Sequence, residues 1–208
     1  MTVAFGPWLV GALSAVGILI VGAGKPPVWV LAAITGVTFF DLAKRGSTES
    51  AEARSDRTAV AMSLGFFGVL LAAAFDLGAS NGSGGFADWV RRGLGLAVIG
   101  AGFALRVAAA RALGSSFGVG ISTAEDQMLV ESGPYRLIRH PTYTALLLVG
   151  IGTAIAVGSP LALAVTLMLW LPTALVRMEK EEQMLVERFG AAYGRYCRRT
   201  WRLLPRVY

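Results

Sequence analysis

The stretch TYTALLLVGIGTAIAVGSPLALAVTLMLWLPTALV, residues 142–176, is apolar almost throughout. A helix needs about 20 apolar residues to cross a bilayer, so this run is too long for one crossing. Gly158, Ser159 and Pro160 interrupt it near the middle, and these residue types favour a turn over a continued helix. The sequence therefore predicts a tight helical hairpin of two short spans.

The composition of the whole chain is that of an integral membrane protein. Its 208 residues are 55% hydrophobic and 15% charged, with a mean hydropathy of +0.61, which is unusual for a soluble domain. Residues 3–23, 27–43, 58–77 and 93–113 also approach spanning length. We therefore predict an all-α membrane protein with about six transmembrane helices, including the C-terminal hairpin. Asp76–Asp88, which contains NGSGG, is predicted to be a flexible loop.

The positive charges indicate an orientation in the membrane. The net charge is +6, and with six crossings nearly all lysines and arginines fall on one side, leaving Lys25, Arg91 and Arg92 on the other. Because basic residues are retained on the cytoplasmic side, we expect both termini and the functional site to face the cytoplasm across the plasma (inner) membrane. The N-terminus is expected to be a retained span, since no cleavage site precedes Lys25. Membrane lipids, and no nucleic acid, are the expected partners of this charge.

Two common kinds of site are not expected. The chain has one histidine and one cysteine, Cys197, so no metal-ligand spacing exists and we predict no metal site. No GxGxxG motif follows a strand in a βαβ unit, which removes the usual argument for dinucleotide binding. Small-residue spacings such as Gly95 to Gly100 instead indicate close packing of helices.

A first polar cluster, GPYRLIRHPTY, residues 133–143, directly precedes the hairpin. Pro141 is suited to a first helical position, which places His140 at the mouth of the helix. The unpaired N–H groups there favour an anion, and Arg136 and Arg139 add cationic donors. The alternative is that the arginines meet lipid phosphates and His140 only caps the hairpin.

A second polar cluster, RMEKEEQMLVERFGAAYGRYCRRTWRLLP, residues 177–205, follows the hairpin. At 100° per residue Glu182 shares a stripe with Met178 and Leu185, which is an apolar face. A carboxylate there costs up to about 3 kcal/mol at the bilayer centre, so a cation should accompany it. That cation is either a ligand group or an intraprotein partner, Arg139 or Arg177.

Other residues of the second cluster have ordinary explanations. The face formed by Arg177, Glu181 and Arg188 has the i,i+4 pairing of a solvated helix surface, although Arg177 is less ordinary because it directly follows the apolar run. Tyr193 and Tyr196 fit an interfacial aromatic belt or stacking partners for a planar ligand, and the belt is favoured unless the tail folds back.

The ordered motifs identify a family. LG..F at Leu113–Phe117 is followed by LV..GPYR..RHP.Y at Leu129–Tyr143, the apolar hairpin, and R...EE at Arg177–Glu182. L...FG..Y..Y and a terminal LP complete the order. This combination, over Leu113–Pro205, resembles the isoprenylcysteine carboxyl methyltransferase family and the related integral membrane phospholipid methyltransferases.

The resemblance implies a division at residues 1–112, four N-terminal spans, and 113–208, a methyltransferase core. It implies that S-adenosylmethionine is the cofactor and that the methyl acceptor is hydrophobic or lipid-linked, most often a carboxylate. The catalytic residues would be Arg177, Glu182 and His140. The cofactor-binding residues would be Gln127, Leu129, Gly133, Tyr135, Arg136, Arg139, His140, Tyr143, Glu181 and Glu182.

Three alternatives remain open. Within the same class, the chain is a phospholipid or other small-molecule methyltransferase. Sterol reductases share part of this architecture, so a nicotinamide-dependent lipid reductase is a second alternative. The third is a membrane scaffold whose charges only anchor it.

Overall fold

The computed structural model describes residues 57–79, 85–113 and 129–206. The spans predicted at residues 3–23 and 27–43 lie outside these ranges. The described residues form five helices and a short 3₁₀ turn, with no sheet and one isolated bridge between Ile138 and Trp201, which confirms the all-α prediction for this part of the chain. The elements are α1 (Arg57–Ala79), α2 (Phe86–Leu113), the 3₁₀ turn (Gly133–Arg136), α3 (Pro141–Val157), α4 (Pro160–Phe189) and α5 (Ala191–Arg199).

The long helices have membrane character. α2 and α4 are both long and apolar enough to cross a bilayer, whereas the apolar parts of α1 and α3 are shorter. Large apolar side chains such as Phe75, Leu94 and Met168 lie exposed on the outside of the bundle. An apolar exterior of this kind is suited to lipid, not water.

The predicted hairpin is confirmed. α3 ends at Gly158, which has φ of +74° and whose N–H donates to the carbonyls of Ala154 and Ile155. Ser159 then caps α4, because its hydroxyl accepts from the N–H of Ala162, and Pro160 takes the first helical position. The turn is thus made by the three residues that the sequence singled out.

α4 contains a single π-helical turn, Thr166–Trp170, within its apolar part. There the N–H of Leu171 donates to the carbonyl of Thr166, five residues back. Pro172 follows and has no N–H to donate, so the regular ladder is already broken at this point. Beyond Val176 the helix changes character and carries the charged residues of the second polar cluster.

Glycines hold α2 and α3 in close contact. A Cβ added at Gly95 would lie 2.4 Å from the backbone nitrogen of Ala156, and one at Gly152 would lie 2.9 Å from the carbonyl oxygen of Gly95. Gly102 makes a similar approach to Ala145. Among the described residues a Cβ at Gly100 would meet nothing within 4 Å, so the close approach of α2 to α3 uses Gly102 where the sequence suggested Gly100.

The loop predicted over Asp76–Asp88 is too long, because both of its end residues are helical. Asp76 accepts a 2.6 Å hydrogen bond from the Ser159 hydroxyl, and Arg91 donates to the carbonyls of Ile155 and Ala156 at 2.8 and 2.7 Å. A carboxylate therefore sits at the start of α4 and a guanidinium at the end of α3, where each complements the helix dipole. These contacts favour longer α1 and α2 at the end of the bundle opposite His140.

The C-terminal tail folds back onto the start of α3. The N–H of Arg139 donates to the carbonyl of Trp201 at 2.7 Å, and the N–H of Trp201 donates to the carbonyl of Leu137 at 2.9 Å. The Thr144 hydroxyl donates to the carbonyl of Leu203 at 2.8 Å. α5 and the tail therefore close over the end of the bundle that carries the first polar cluster.

Gly95→Ala tests the α2–α3 contact. The added methyl group would force the two backbones apart, and overpacking of this kind costs about 1–3 kcal/mol. We expect a lower thermal unfolding midpoint in detergent, followed by circular dichroism. Gly100→Ala is the matched control on the same helix and should be neutral or slightly stabilising, because alanine is the better helix former. Equal midpoints for the two variants would contradict the packing described here.

Candidate functional site

Glu182 is at the centre of a cationic cluster. Its Oε1 lies 3.0 Å from Nε of Arg139 and 3.1 Å from Nε2 of His140, and its Oε2 lies 3.1 Å from a terminal nitrogen of Arg202. The Glu182 side chain is only 20% exposed, so these contacts are partly shielded from solvent. The prediction that a cation accompanies Glu182 is confirmed, and Arg139 is one of the two intraprotein partners predicted for it.

The cluster holds Glu182 in its ionised form. Glu182 lies beyond the apolar part of α4, residues 160–176, in the charged segment of the helix. Burial alone would raise the pKa of its carboxyl, but the hydrogen bond and charge of His140, with Arg139 and Arg202, lower the pKa to about 2. The carboxylate is therefore a permanent anion at neutral pH.

Glu181 anchors a second set of contacts beside the first. The Tyr143 hydroxyl donates to Oε1 of Glu181 at 2.5 Å, and Nε of Arg177 lies 3.1 Å from the same oxygen and 2.9 Å from the Tyr143 hydroxyl. Nδ1 of His140 lies 3.8 Å from Oε2 of Glu181. The single imidazole of the chain thus stands between the two adjacent carboxylates.

Arg177 and Glu181 are therefore not a solvated surface pair. Both side chains are largely buried, and both contact Tyr143 on α3. Arg188, which the helical wheel placed on the same face, instead lies 5.6 Å from the ring centre of the adjacent Phe189. The simple surface explanation was wrong for Arg177 and Glu181 because the Tyr143 side chain, from α3, contacts both of them.

Arg139 also joins the cluster to α5. Its terminal nitrogen donates to the carbonyls of Cys197 and Thr200 at 3.1 and 2.6 Å, which places a cation at the C-terminal end of that helix. Tyr193 and Tyr196 are 1% and 3% exposed, and the Tyr196 hydroxyl donates to the carbonyl of Tyr135 at 2.8 Å. The prediction of an interfacial tyrosine belt was wrong, because the tail folds back and buries both rings.

The structure brings together most of the predicted site residues, but not all of them. The residues that meet are Arg139, His140, Tyr143, Arg177, Glu181 and Glu182. Arg136 lies exposed on the 3₁₀ turn, Gly133 has φ of +58° at its start, and Tyr135 and Leu129 are half-buried nearby. Gln127 lies outside the described residues.

Arg202 is the member of the cluster that sequence reasoning missed. It was counted with the tail arginines as a topological charge. One signal was available: Arg202 has Trp201 before it and Leu203 after it, so it is the arginine of the tail with a large apolar residue on both sides. In the structure Leu203 is buried and Arg202 is half-buried, as expected for a segment that packs on the bundle.

The segment that carries most of this site matches a known protein family. Residues 94–187 match the model of the isoprenylcysteine carboxyl methyltransferase (ICMT) family. The predicted family resemblance is confirmed. The matched segment contains Arg139, His140, Arg177, Glu181 and Glu182, whereas α5 and the tail lie beyond it.

Curated relatives show the same resemblance over part of their length. A probable protein-S-isoprenylcysteine O-methyltransferase of Oryza sativa subsp. japonica is 32% identical over 120 residues, which cover 56% of this chain and 62% of the rice protein. Protein-S-isoprenylcysteine O-methyltransferase A of Arabidopsis thaliana is 35% identical over 112 residues, covering 52% of this chain and 56% of the plant protein. The chain thus spans about three fifths of the length of these two relatives.

A reductase and a solved structure complete the comparison. The Delta(14)-sterol reductase of Mus musculus is 31% identical over 90 residues, or 42% of this chain and 22% of the reductase. The solved structure of a eukaryotic intramembrane Ras methyltransferase ICMT has a TM-score of 0.58 at 22% identity, covering 97% of this chain and 75% of that one. This likeness shows that the two chains share a fold.

Glu182→Gln tests how much the cluster contributes to stability. The amide keeps the volume but leaves Arg139 and Arg202 without their counter-charge, and hydrogen bonds to charged groups contribute about 1.5–3 kcal/mol. We expect a loss of about 2 kcal/mol in the free energy of unfolding at pH 7, measured by denaturant titration in detergent.

The pH dependence and a matched variant make this test specific. Because the pKa of Glu182 falls from 4.5 to about 2 on folding, its contribution is complete above pH 4.5 and is lost as the pH falls towards 2. The stability difference between wild type and variant should therefore shrink over that interval. Glu187→Gln, at an exposed site on the same helix, should leave stability unchanged. If both variants behave alike, the cluster does not stabilise the fold.

Proposed function

We propose that the chain is an S-adenosylmethionine-dependent methyltransferase that acts on a hydrophobic or lipid-linked acceptor. The group methylated would be a carboxylate of that acceptor. The observation that supports this best is the meeting of Glu182 with Arg139 and His140 at the first turn of α3. These residues come from two segments more than 40 positions apart, and both lie within the stretch that matches the methyltransferase family.

The donor set fits the cofactor. The amino-acid end of S-adenosylmethionine carries an ammonium and a carboxylate, so its binding site needs a carboxylate and a cationic side chain next to each other. The Arg202 guanidinium already contacts Oε2 of Glu182, and the cofactor ammonium would take its place there. Arg139 and the exposed Arg136 would hold the carboxylate. The half-buried Tyr135, with Gln127, Leu129 and Gly133, would border the adenosine.

Tyr143, which the family resemblance placed among the cofactor-binding residues, has a positioning role in this proposal and does not contact the adenine. Its ring is buried and lies edge-on to His140, with ring centres 5.7 Å apart. Its hydroxyl is committed to Glu181 and Arg177. Tyr143 therefore fixes the position of Arg177 and of His140, and would act on the reaction only through them.

The chemistry asked of the protein is positioning. When bound, the cofactor supplies a methyl group on a sulfonium centre, which is open to in-line displacement. A carboxylate acceptor is already nucleophilic at neutral pH, so no general base is required, and Arg177 would orient it through its guanidinium fork. An amine or thiol acceptor would first lose a proton, for which His140 is the neighbouring candidate. The side chains of Glu181 and Glu182 are only 24% and 20% exposed, and this partial shielding from water strengthens their contacts.

A second candidate function is the nicotinamide-dependent reduction of a lipid. It is favoured by the 31% identity to the mouse sterol reductase. A nicotinamide dinucleotide presents phosphates, and these would meet the carboxylates of Glu181 and Glu182 as well as the cations. The mixed charges of the cluster are better matched by an amino acid with both signs, so methyl transfer remains the preferred function.

The finer topology belongs to the same proposal. Six crossings would put both termini and the Glu182 cluster on the cytoplasmic side, where a soluble cofactor enters. Residues 113–208 would form the catalytic core, and the four spans in residues 1–112 would contribute to acceptor choice. A lipid-linked acceptor would arrive from the bilayer, which explains why polar groups collect at the mouth of an apolar hairpin.

Arg177→Gln separates acceptor positioning from cofactor binding. The turnover number should fall about 100-fold, as for the loss of one transition-state donor, while the dissociation constant of S-adenosylmethionine changes less than about twofold. Arg188→Gln, on the same helix but outside the cluster, should keep near-normal turnover. Equal losses for the two variants would contradict the role given to Arg177.

The activity itself is tested by transfer of a tritiated methyl group from S-adenosylmethionine to membrane extracts and to an S-farnesylcysteine derivative. A methyl ester product releases its label as volatile methanol in mild base, whereas an N-methylated lipid does not. We expect base-labile label that depends on Glu182. Base-stable label would transfer the proposal to a phospholipid acceptor, and oxidation of reduced nicotinamide without methyl transfer would favour the reductase.

A further inference from the structure

A cavity of about 270 Å³ lies at the C-terminal end of α5, outside the Glu182 cluster. It is lined by Cys197, Arg198, Arg199, Thr200 and Trp201. Pockets for drug-sized ligands begin at about 300 Å³, so this one suits a small polar group better than a whole nucleoside cofactor. Two guanidinium-bearing residues and an indole in its wall indicate an anion held beside an apolar surface.

The cavity lies beside the start of the apolar hairpin. Trp201 accepts from the N–H of Arg139, two residues before α3 begins at Pro141. α3 is the apolar first arm of the hairpin, and in the topology proposed above its first turn would lie at the edge of the hydrocarbon region. The wall formed by Trp201 would then lie at headgroup depth.

Exposed apolar side chains surround the cavity mouth. Leu137 is 62% exposed and Trp201 is 43% exposed, and their backbones are hydrogen bonded to each other. Leu204, three residues further along the tail, is exposed as well. An indole at the boundary of the bilayer, flanked by leucines, is the usual arrangement of an interfacial anchor.

The charges that the tail contributes around the cavity have one sign. Residues 191–208 contain five arginines and no aspartate or glutamate. Arg202 is directed to Glu182, and Arg199 forms an ion pair with Glu131. Arg198 lies exposed in the cavity wall, and Arg195 lies exposed about one turn earlier in α5, outside the cavity lining.

We propose that this cavity binds the phosphate of an anionic phospholipid headgroup. Arg198 would donate to the phosphate oxygens, with Arg199 beside it held by Glu131, and Trp201 and Leu137 would pack on the glycerol and upper acyl region. The site is independent of the proposed methyl transfer. It adjoins the Glu182 cluster through the backbone, because the carbonyls of Cys197 and Thr200 in its wall accept from Arg139.

The site is tested on the purified full chain by native mass spectrometry, with phosphatidylglycerol or phosphatidylcholine added in detergent. We expect one retained phosphatidylglycerol, bound about fivefold or more tightly than phosphatidylcholine. Arg198→Gln should remove about fivefold of that preference, and Arg198→Lys should restore most of it. Arg195→Gln is the matched control, with the same charge change outside the cavity, and should keep the wild-type preference.

Several outcomes would overturn the proposal. Equal retention of the two lipids would show that the cavity does not recognise an anionic headgroup. An equal effect of the Arg195 and Arg198 substitutions would show that diffuse surface charge is responsible. Displacement of the lipid by millimolar inorganic phosphate would identify a free-anion site instead of a lipid site. If Arg198→Gln lowers the thermal midpoint, the Arg198→Lys comparison decides the outcome.

Discussion

The carboxylate of Glu182 is the point on which the described structure depends. An anion beside an apolar bundle needs compensating charge, and the compensating groups here come from two places: Arg139 and His140 from the segment before α3, and Arg202 from the tail. Satisfying one acid therefore ties together the start of the hairpin, the far end of α4 and the last residues of the chain. The folded-back tail, with its buried Tyr193 and Tyr196, brings Arg202 to this carboxylate.

The contacts that stabilise the fold would also serve the proposed ligand site, so the two roles are not alternatives. Arg202 contacts Oε2 of Glu182, and Arg139 contacts Oε1. A cationic ligand would exchange with Arg202, whereas Arg139 and His140 would stay in place to fix the carboxylate. The exchange moves a guanidinium but leaves the number of charges around Glu182 unchanged, which keeps its energetic cost small.

Local signals in the sequence were sufficient for the hairpin and for half of the cluster. Pro and Gly set the turn at Gly158–Pro160, Pro141 set the start of α3, and helical periodicity showed that Glu182 needed a cation. What failed depended on contacts between distant segments. The arginines of the tail look alike in sequence, and only tertiary packing distinguishes Arg202, which meets Glu182, from Arg198, which faces outwards. The choice of Gly102 over Gly100 as the close contact has the same origin, because it depends on the register of α2 against α3.

Glu182 is proposed to hold the amino-acid end of the cofactor. The most direct test is a set of dissociation constants for S-adenosylhomocysteine and for 5′-methylthioadenosine, which lacks that end, measured by calorimetry on wild type and Glu182→Gln. Wild type should bind S-adenosylhomocysteine about tenfold or more tightly than 5′-methylthioadenosine. The variant, once circular dichroism shows that it is folded, should lose most of this preference. An unchanged preference in the variant would contradict it.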